Sequence, residues 1–171
     1  MSPEQTSAAA ALARLRAEIR DDRAAMTRRR DDLEEADRRL ETSPRDPAAI
    51  ALAAWALHGW YTALESLLER VARQLDAAVP TGDRWHRELL VQATVEVPGV
   101  RPAVLPAETR SALVELLGLR HFLRHAYGAD LDPARLAAQA ARLRAISADI
   151  DAALERFDAF LASAQAATPT A

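Results

Sequence analysis

In the first part of the chain, single apolar residues recur at helical spacing within an otherwise polar stretch. They follow one another at intervals of three, four and seven residues: Leu12, Leu15, Ile19, Met26, Leu33 and Leu40. Residues at these intervals lie on one narrow stripe of an α-helix, which has about 3.6 residues per turn. The pattern predicts a long helix over residues 4–41 that packs along a seam.

A second stretch, residues 47–78, is much richer in apolar residues. Asp46 and Pro47 supply the N-cap and first-turn signals of a helix start. The apolar residues are distributed around most of this helix: Ile50, Leu52, Trp55, Leu57, Trp60, Leu64, Leu67, Leu68, Val71 and Leu75. Because a helix that is apolar on most sides is usually buried, the second helix is predicted to be central in the fold.

Three further helices are predicted from turn and capping residues. A third helix covers residues 84–95. Pro106 opens a fourth helix that reaches residue 126 or 127, where Gly128 suits the left-handed position that ends a helix. A fifth helix covers residues 133–163, after a second Asp-Pro start signal.

The whole pattern predicts an all-α bundle of about five helices with a long N-terminal helix, because the alternating pattern of β-strands is almost absent. A length of 171 residues suits one domain. We expect residues 1–46 to be part of the bundle or appended to it, residues 47–163 to form the helical domain, and residues 164–171 to be a disordered tail.

Composition narrows the possible chemistry. The chain has no cysteine, which excludes disulfides, thiolate metal sites and cysteine nucleophiles. A formal net charge of −3 argues against a protein that coats nucleic acid along its length. No apolar run approaches the roughly 20 residues that a membrane helix needs, and the N-terminus lacks the pattern of a signal peptide. A cytoplasmic protein without membrane contact is therefore expected.

Residues 120–127 concentrate the chemically active side chains. This segment contains Arg120, His121, Arg124, His125 and Tyr127. Cleaving RNA without a metal needs a proton acceptor for the 2′-hydroxyl, a proton donor for the leaving oxygen and a positive charge beside the crowded phosphorane. Histidine transfers protons near neutral pH and arginine is permanently cationic, so one short segment supplies all three requirements. No metal or organic cofactor is needed.

Helical geometry limits how these groups can cooperate. Positions 120, 124 and 127 lie on one stripe of an ideal helix, whereas positions 121 and 125 lie on a neighbouring stripe about 100° away. Arg120 and His125 can therefore meet at one phosphate only if the helix end unwinds near Gly128, or if one of the two comes from another subunit.

The spacing Arg120-x4-His125-x-Tyr127 resembles the Arg-x4-His-x-Tyr motif of HEPN ribonucleases, specifically of HepT-type toxins. Further blocks resemble a HepT-like subgroup in the same order along the chain: Tyr61-Thr62-Ala63-Leu64-Glu65, Trp85-His86-Arg87-Glu88-Leu89-Leu90, Arg101-Pro102-Ala103-Val104 and residues 120–132. The resemblance covers residues 48–160 and implies a HEPN-like helical bundle.

The resemblance also implies a function and partners. HepT-type proteins are metal-independent endoribonuclease toxins of toxin-antitoxin modules, with RNA as substrate. Their motifs meet across the two-fold axis of a homodimer, which implies that Arg120, His125 and Tyr127 form a composite catalytic centre. Their partner is a minimal nucleotidyltransferase antitoxin that transfers AMP from ATP to the motif tyrosine. Tyr127 would then be the modification site that shuts off the nuclease.

Several supporting residues allow two interpretations each. Glu65 either orients Arg120 through an ion pair or lies on a solvated strip of its helix. His86, next to Trp85, either helps to bind a base by stacking or belongs to a packing anchor. Arg101 either clamps a phosphate or braces the bundle.

The motif segment leaves similar alternatives. Arg124 either binds an RNA phosphate or forms an ion pair with a nearby aspartate. His121 and His125 have the i, i+4 spacing of a helical metal site, but Phe122 stands where a zinc protease has its glutamate, so no native metal is expected. At the level of function, the alternatives to a nuclease are a catalytically inert HEPN-type module that binds a nucleotide or partner, and a purely structural helical adaptor.

Overall fold

A computed structural model describes residues 3–125 and 131–167, with side chains for all of these except residues 3–7, 121, 122, 124 and 125. The α-helices are α1 (Pro3–Thr42), α2 (Pro47–Val71), α3 (Trp85–Ala93), α4 (Arg110–His125) and α5 (Pro133–Ala167). Over the described ranges there is no β-strand, and the single antiparallel bridge joins Val97 to Arg101. The prediction of an all-α fold with about five helices and a long N-terminal helix is confirmed.

Helix α1 packs along α2 and α5 through the stripe that its sequence predicts. Leu15, Ile19, Met26 and Leu33 are buried and belong to the same apolar core as the central residues of α2. Burial of such side chains contributes about 1.5–3 kcal/mol each relative to an exposed position. The narrow stripe of α1 is thus explained by a long, thin interface with the rest of the bundle.

Ion pairs line both sides of this seam. Arg16 reaches α5, where its Nε and Nη2 donate to the two carboxylate oxygens of Asp158 at 2.9 and 3.0 Å. The hydrogen bond from Arg16 holds the pKa of Asp158 below its ordinary value. Arg70 of α2 donates to Asp22 of α1 at 2.9 Å. Such partly exposed pairs contribute at most about 1 kcal/mol each, so the buried apolar stripe supplies most of the stability of this seam.

Helix α2 is central, as predicted, and most of its apolar residues are buried. Gly59 lets α1 approach closely, since a Cβ at this position would lie 2.8 Å from Cδ of Arg29. Trp55 departs from the expected burial because its side chain is 59% exposed and lies beneath the Arg29 guanidinium. An apolar pattern on every side of a helix does not tell which side faces solvent.

The helix ends differ from the predicted ones by a few residues. Past Val71 the chain continues as a π-helical turn, Ala72–Asp76, and Ala77 then takes the left-handed conformation with φ of 53°. Helix α4 begins after a short 3₁₀ turn at Ala107–Thr109. Helix α5 extends to Ala167, past the expected end at residue 163. The predicted stop at Gly128 and the last part of the predicted tail, residues 168–171, lie outside the described residues.

No helix in the described part of the chain combines the length and apolar character needed to span a membrane.

Replacing Ile19 by alanine is expected to lower the free energy of unfolding of the whole protein by about 2–5 kcal/mol, because it leaves a cavity in the core. Ile19 is 1% exposed and belongs to the core shared by α1 and α2. The control is Arg28→Ala at an exposed position of α1, which should change stability by less than about 0.5 kcal/mol. Urea unfolding followed by circular dichroism should show one cooperative transition. Two separate transitions, with only the first affected, would show that α1 is an appendage.

Candidate functional site

Three buried polar residues from three different helices meet inside the bundle. Helix α2 supplies Glu65, α3 supplies His86 and α4 supplies Arg120, and their exposed fractions are 6, 8 and 8%. Burying a charge or an unpaired polar group is costly, so such residues need partners in the interior. Their mutual contacts supply those partners.

Glu65 contacts both of the other residues. Its Oε1 lies 2.7 Å from Nη2 of Arg120, and its Oε2 lies 2.5 Å from Nδ1 of His86. The guanidinium favours the ionised carboxylate, and an ionised carboxylate can only accept hydrogen bonds. Nδ1 of His86 therefore carries the shared hydrogen. Of the two interpretations of Glu65 in the sequence, the contact with Arg120 favours the ion pair.

Arg120 retains hydrogen-bonding capacity after this contact. Its Nε and Nη1 are buried, and neither has a hydrogen-bond acceptor in the part of the chain that the structure describes. Leaving buried donors unpaired costs about 1–3 kcal/mol each, so such groups in folded proteins call for an explanation. A guanidinium that is held on one side and has donors to spare is suited to binding an oxyanion such as phosphate.

Tyr61 lies one helical turn before Glu65 and packs against the same guanidinium. Its ring centroid is 5.8 Å from Cζ of Arg120, within the range of a cation–π contact. Burial raises the pKa of the Tyr61 hydroxyl well above its ordinary value, the charge of Glu65 raises it further, and Arg120 opposes both effects. Tyr61 is thus a neutral phenol at physiological pH. Its role in supporting Arg120 was not assigned from the sequence, although Tyr61 and Glu65 have the i, i+4 spacing of neighbours on one helix face.

His86 is held on its other side by an aromatic ring. The centroids of the Trp85 and His86 rings are 3.7 Å apart and the ring planes are inclined by 30°. His86 also lines a small cleft of about 110 Å³ together with Arg84, Arg87 and Gly118. Glu65 and His86 are both potential metal ligands. Across the described residues, however, no group of three or more His, Asp or Glu side chains could hold a metal ion.

Arg101 is a further arginine that is buried in the described part of the chain, and it has a different environment. It is 3% exposed, and its Nε and Nη2 donate to the two carboxylate oxygens of Asp76 at 2.6 Å. The other donors reach the carbonyl oxygens of Gln92, Val95 and Pro102. Since all five N–H groups of the guanidinium are engaged, the geometry favours the bracing role over a phosphate clamp. No sequence pattern indicated Asp76 as its partner, because the two residues lie 25 positions apart.

The motif residues of α4 are described only in part. The backbone is helical through His125. The side chains of His121, Arg124 and His125 lie outside the described residues, as does the whole of Tyr127. The structure therefore brings together Arg120, Glu65 and His86, whereas the placement of the other motif side chains stays a prediction.

Replacing Glu65 by glutamine is expected to lower the free energy of unfolding by about 3–5 kcal/mol, because it leaves the buried Arg120 charge without its carboxylate. Glu69→Gln is a matched control one turn away, where the carboxylate pairs with Arg73 across 3.7 Å at a more exposed position. That change should cost less than about 1 kcal/mol. If urea unfolding shows that both variants lose the same free energy of unfolding, the Glu65 contacts do not have the structural importance assigned to them.

Comparison with known families gives a match to the family described as HepT-like protein over residues 51–161. The match includes Glu65, His86, Arg101 and Arg120. Comparison with curated proteins and with solved structures gives no match. Since the matched segment covers well over half of the chain, this protein belongs to the HepT-like family of the HEPN superfamily.

Proposed function

We propose that this protein is the toxin of a toxin-antitoxin module and acts as a metal-independent endoribonuclease. The observation that carries the proposal is the buried Arg120, which is held by Glu65 and has donors at Nε and Nη1 without an acceptor in the described part of the chain. A phosphodiester offers the anionic oxygens that such donors bind. Membership of the HepT-like family supports the toxin-antitoxin context. The proposed substrate is cellular RNA, and the proposed site of action is the cytoplasm.

The proposed reaction is an attack of the RNA 2′-hydroxyl on its neighbouring phosphorus. A base removes the 2′-hydroxyl proton, the new P–O bond gives a phosphorane, and the bond to the 5′-oxygen breaks as an acid protonates that oxygen. His125 acts in one of these two proton transfers, either as the base for the 2′-hydroxyl or as the acid for the 5′-oxygen. Arg120 stabilises the charge on the non-bridging oxygens through Nε and Nη1, which must first be uncovered because both atoms are buried in the bundle.

A homodimer supplies the remaining geometry. Since the backbone is helical from Arg120 through His125, these two positions face different directions from one helix. A two-fold axis that brings two copies of this segment together would place Arg120 of one subunit near His125 of the other. The site is then complete only in the dimer.

Light scattering on the purified protein is expected to give twice the chain mass of 18.6 kDa at micromolar concentration. The measurement should be repeated with added RNA, because substrate bound between subunits would strengthen the dimer. A mass of one chain under both conditions would contradict the composite site.

Arg120→Ala and His125→Ala are each expected to relieve growth inhibition on overexpression and to lower RNA cleavage by at least about 100-fold. Circular dichroism should show that both variants are folded, although Arg120→Ala leaves the buried Glu65 without its guanidinium and should unfold at a lower urea concentration. Arg28→Ala, which removes an exposed arginine from α1, is the control and should leave toxicity unchanged. Chelation by EDTA should not reduce cleavage. Cleavage by either site variant at the wild-type rate would show that the site is wrongly assigned, and RNA binding without cleavage by the wild type would favour the inert binding module.

The antitoxin is proposed to be a nucleotidyltransferase that transfers AMP to Tyr127. Co-expression of the two proteins should add about 329 Da per modification to the peptide that contains Tyr127, because AMP is attached with loss of pyrophosphate. The chain has two tyrosines, and Tyr61 is 2% exposed and thus inaccessible to an enzyme. Tyr127→Phe should abolish the adduct and Tyr61→Phe should retain it. Neutralised toxicity without an adduct on Tyr127 would refute this mode of control.

A further inference from the structure

We propose that His86 is a positioning residue for Arg120 and that it acts through Glu65. In this account, His86 occupies one carboxylate oxygen so that Arg120 keeps donors available for the RNA phosphate. The inference rests on the proposed function and adds to it a residue on α3 that does not contact the substrate.

The first observation is that the two carboxylate oxygens of Glu65 contact two different residues. Carboxylates and guanidinium groups often form bidentate pairs, in which both oxygens accept from the same arginine. Here Oε1 contacts Nη2 of Arg120, and Oε2 contacts Nδ1 of His86. Arg120 consequently keeps Nε and Nη1 without an acceptor among the described residues. Arg101 shows the contrast, because both oxygens of Asp76 accept from that arginine.

The fixed orientation of His86 is the second observation. Trp85 covers one face of its ring at a centroid distance of 3.7 Å, and the residue is 8% exposed. With Glu65 ionised, Nδ1 of His86 carries the hydrogen that Oε2 accepts, and this contact joins the carboxylate to the first turn of α3. Without it, the buried Oε2 would lose a donor and could turn toward Arg120. One of the two spare donors of Arg120 would then be consumed inside the protein.

Three substitutions at His86 separate this role from proton transfer. The side-chain amide of asparagine can place an N–H near the position of Nδ1, whereas that of glutamine lies closer to Nε2. His86→Asn should therefore keep kcat for RNA cleavage within about threefold of the wild type. His86→Gln and His86→Ala should lower kcat by about 10–100-fold, by analogy with the losses seen when groups that orient a metal ligand are removed. KM should change much less, because the substrate does not contact His86.

The controls test whether the effect passes through Arg120. In an Arg120→Ala background, His86→Ala should cause no further loss of kcat. Arg87→Ala changes an exposed neighbour in the same turn of α3 and should have no effect on kcat. Equal losses for His86→Asn and His86→Gln would overturn the proposal, as would a full additional loss for His86→Ala in the Arg120→Ala background.

A measurement without RNA distinguishes failure of this inference from failure of the proposed function. If the wild type cleaves no RNA, the proposed nuclease activity is wrong. The coupling between His86 and Arg120 is then measured by urea unfolding of His86→Ala, Arg120→Ala and the double variant. His86 acting through Glu65 predicts effects on stability that are clearly non-additive. Additive effects would overturn the positioning role whatever the protein's activity.

Discussion

Glu65 carries a buried negative charge in the middle of the central helix, where isolation would cost several kcal/mol. The charge is tolerated because α3 brings the Nδ1 hydrogen of His86 and α4 brings the guanidinium of Arg120. These contacts form only when all three helices are docked in one register. The docking of the three helices therefore also places Arg120, and the proposed chemistry depends on that placement.

The two arginines that are buried among the described side chains show how the bundle separates structure from function. Arg101 ties the loop after α3 to the π-helical turn through Asp76 and has every donor engaged. Arg120 has a comparable degree of burial, but it keeps donors at Nε and Nη1 that find no acceptor in the described part of the chain. Unpaired donors are a cost to stability without a folding benefit. Such a cost is typical of sites where a protein binds a charged ligand.

Much of the fold could be predicted from local signals. The stripe of α1, the start of α2 at Asp46-Pro47 and the absence of strand alternation determine the helices and their order. The exposure of Trp55 could not be predicted, because a helix with apolar residues on all sides does not specify its solvent face. The π-helical turn that continues α2 also escaped prediction, since one altered turn leaves the apolar spacing almost unchanged.

The candidate site could be predicted only in part. The Arg-x4-His-x-Tyr motif identified Arg120 as a site residue. The apolar surroundings of Glu65 indicated that its charge needs a partner, but two interpretations of Glu65 stayed open, an ion pair with Arg120 or a solvated strip of the helix. His86 lies 21 residues from Glu65, and no local rule pairs residues on two different helices. Such contacts follow from tertiary packing, which the periodicity of each helix does not encode by itself.

Arg120 and His125 are proposed to act together across a dimer, and mixed dimers test this cooperation most directly. Arg120→Ala and His125→Ala are each inactive in this account, but a dimer of one copy of each retains one site with both residues. Random exchange of subunits makes half of the dimers mixed, so unfolding and refolding an equal mixture should restore roughly a quarter of wild-type RNA cleavage. Cleavage that stays at the level of the separate variants, although subunit exchange is verified by mass, would contradict the composite site.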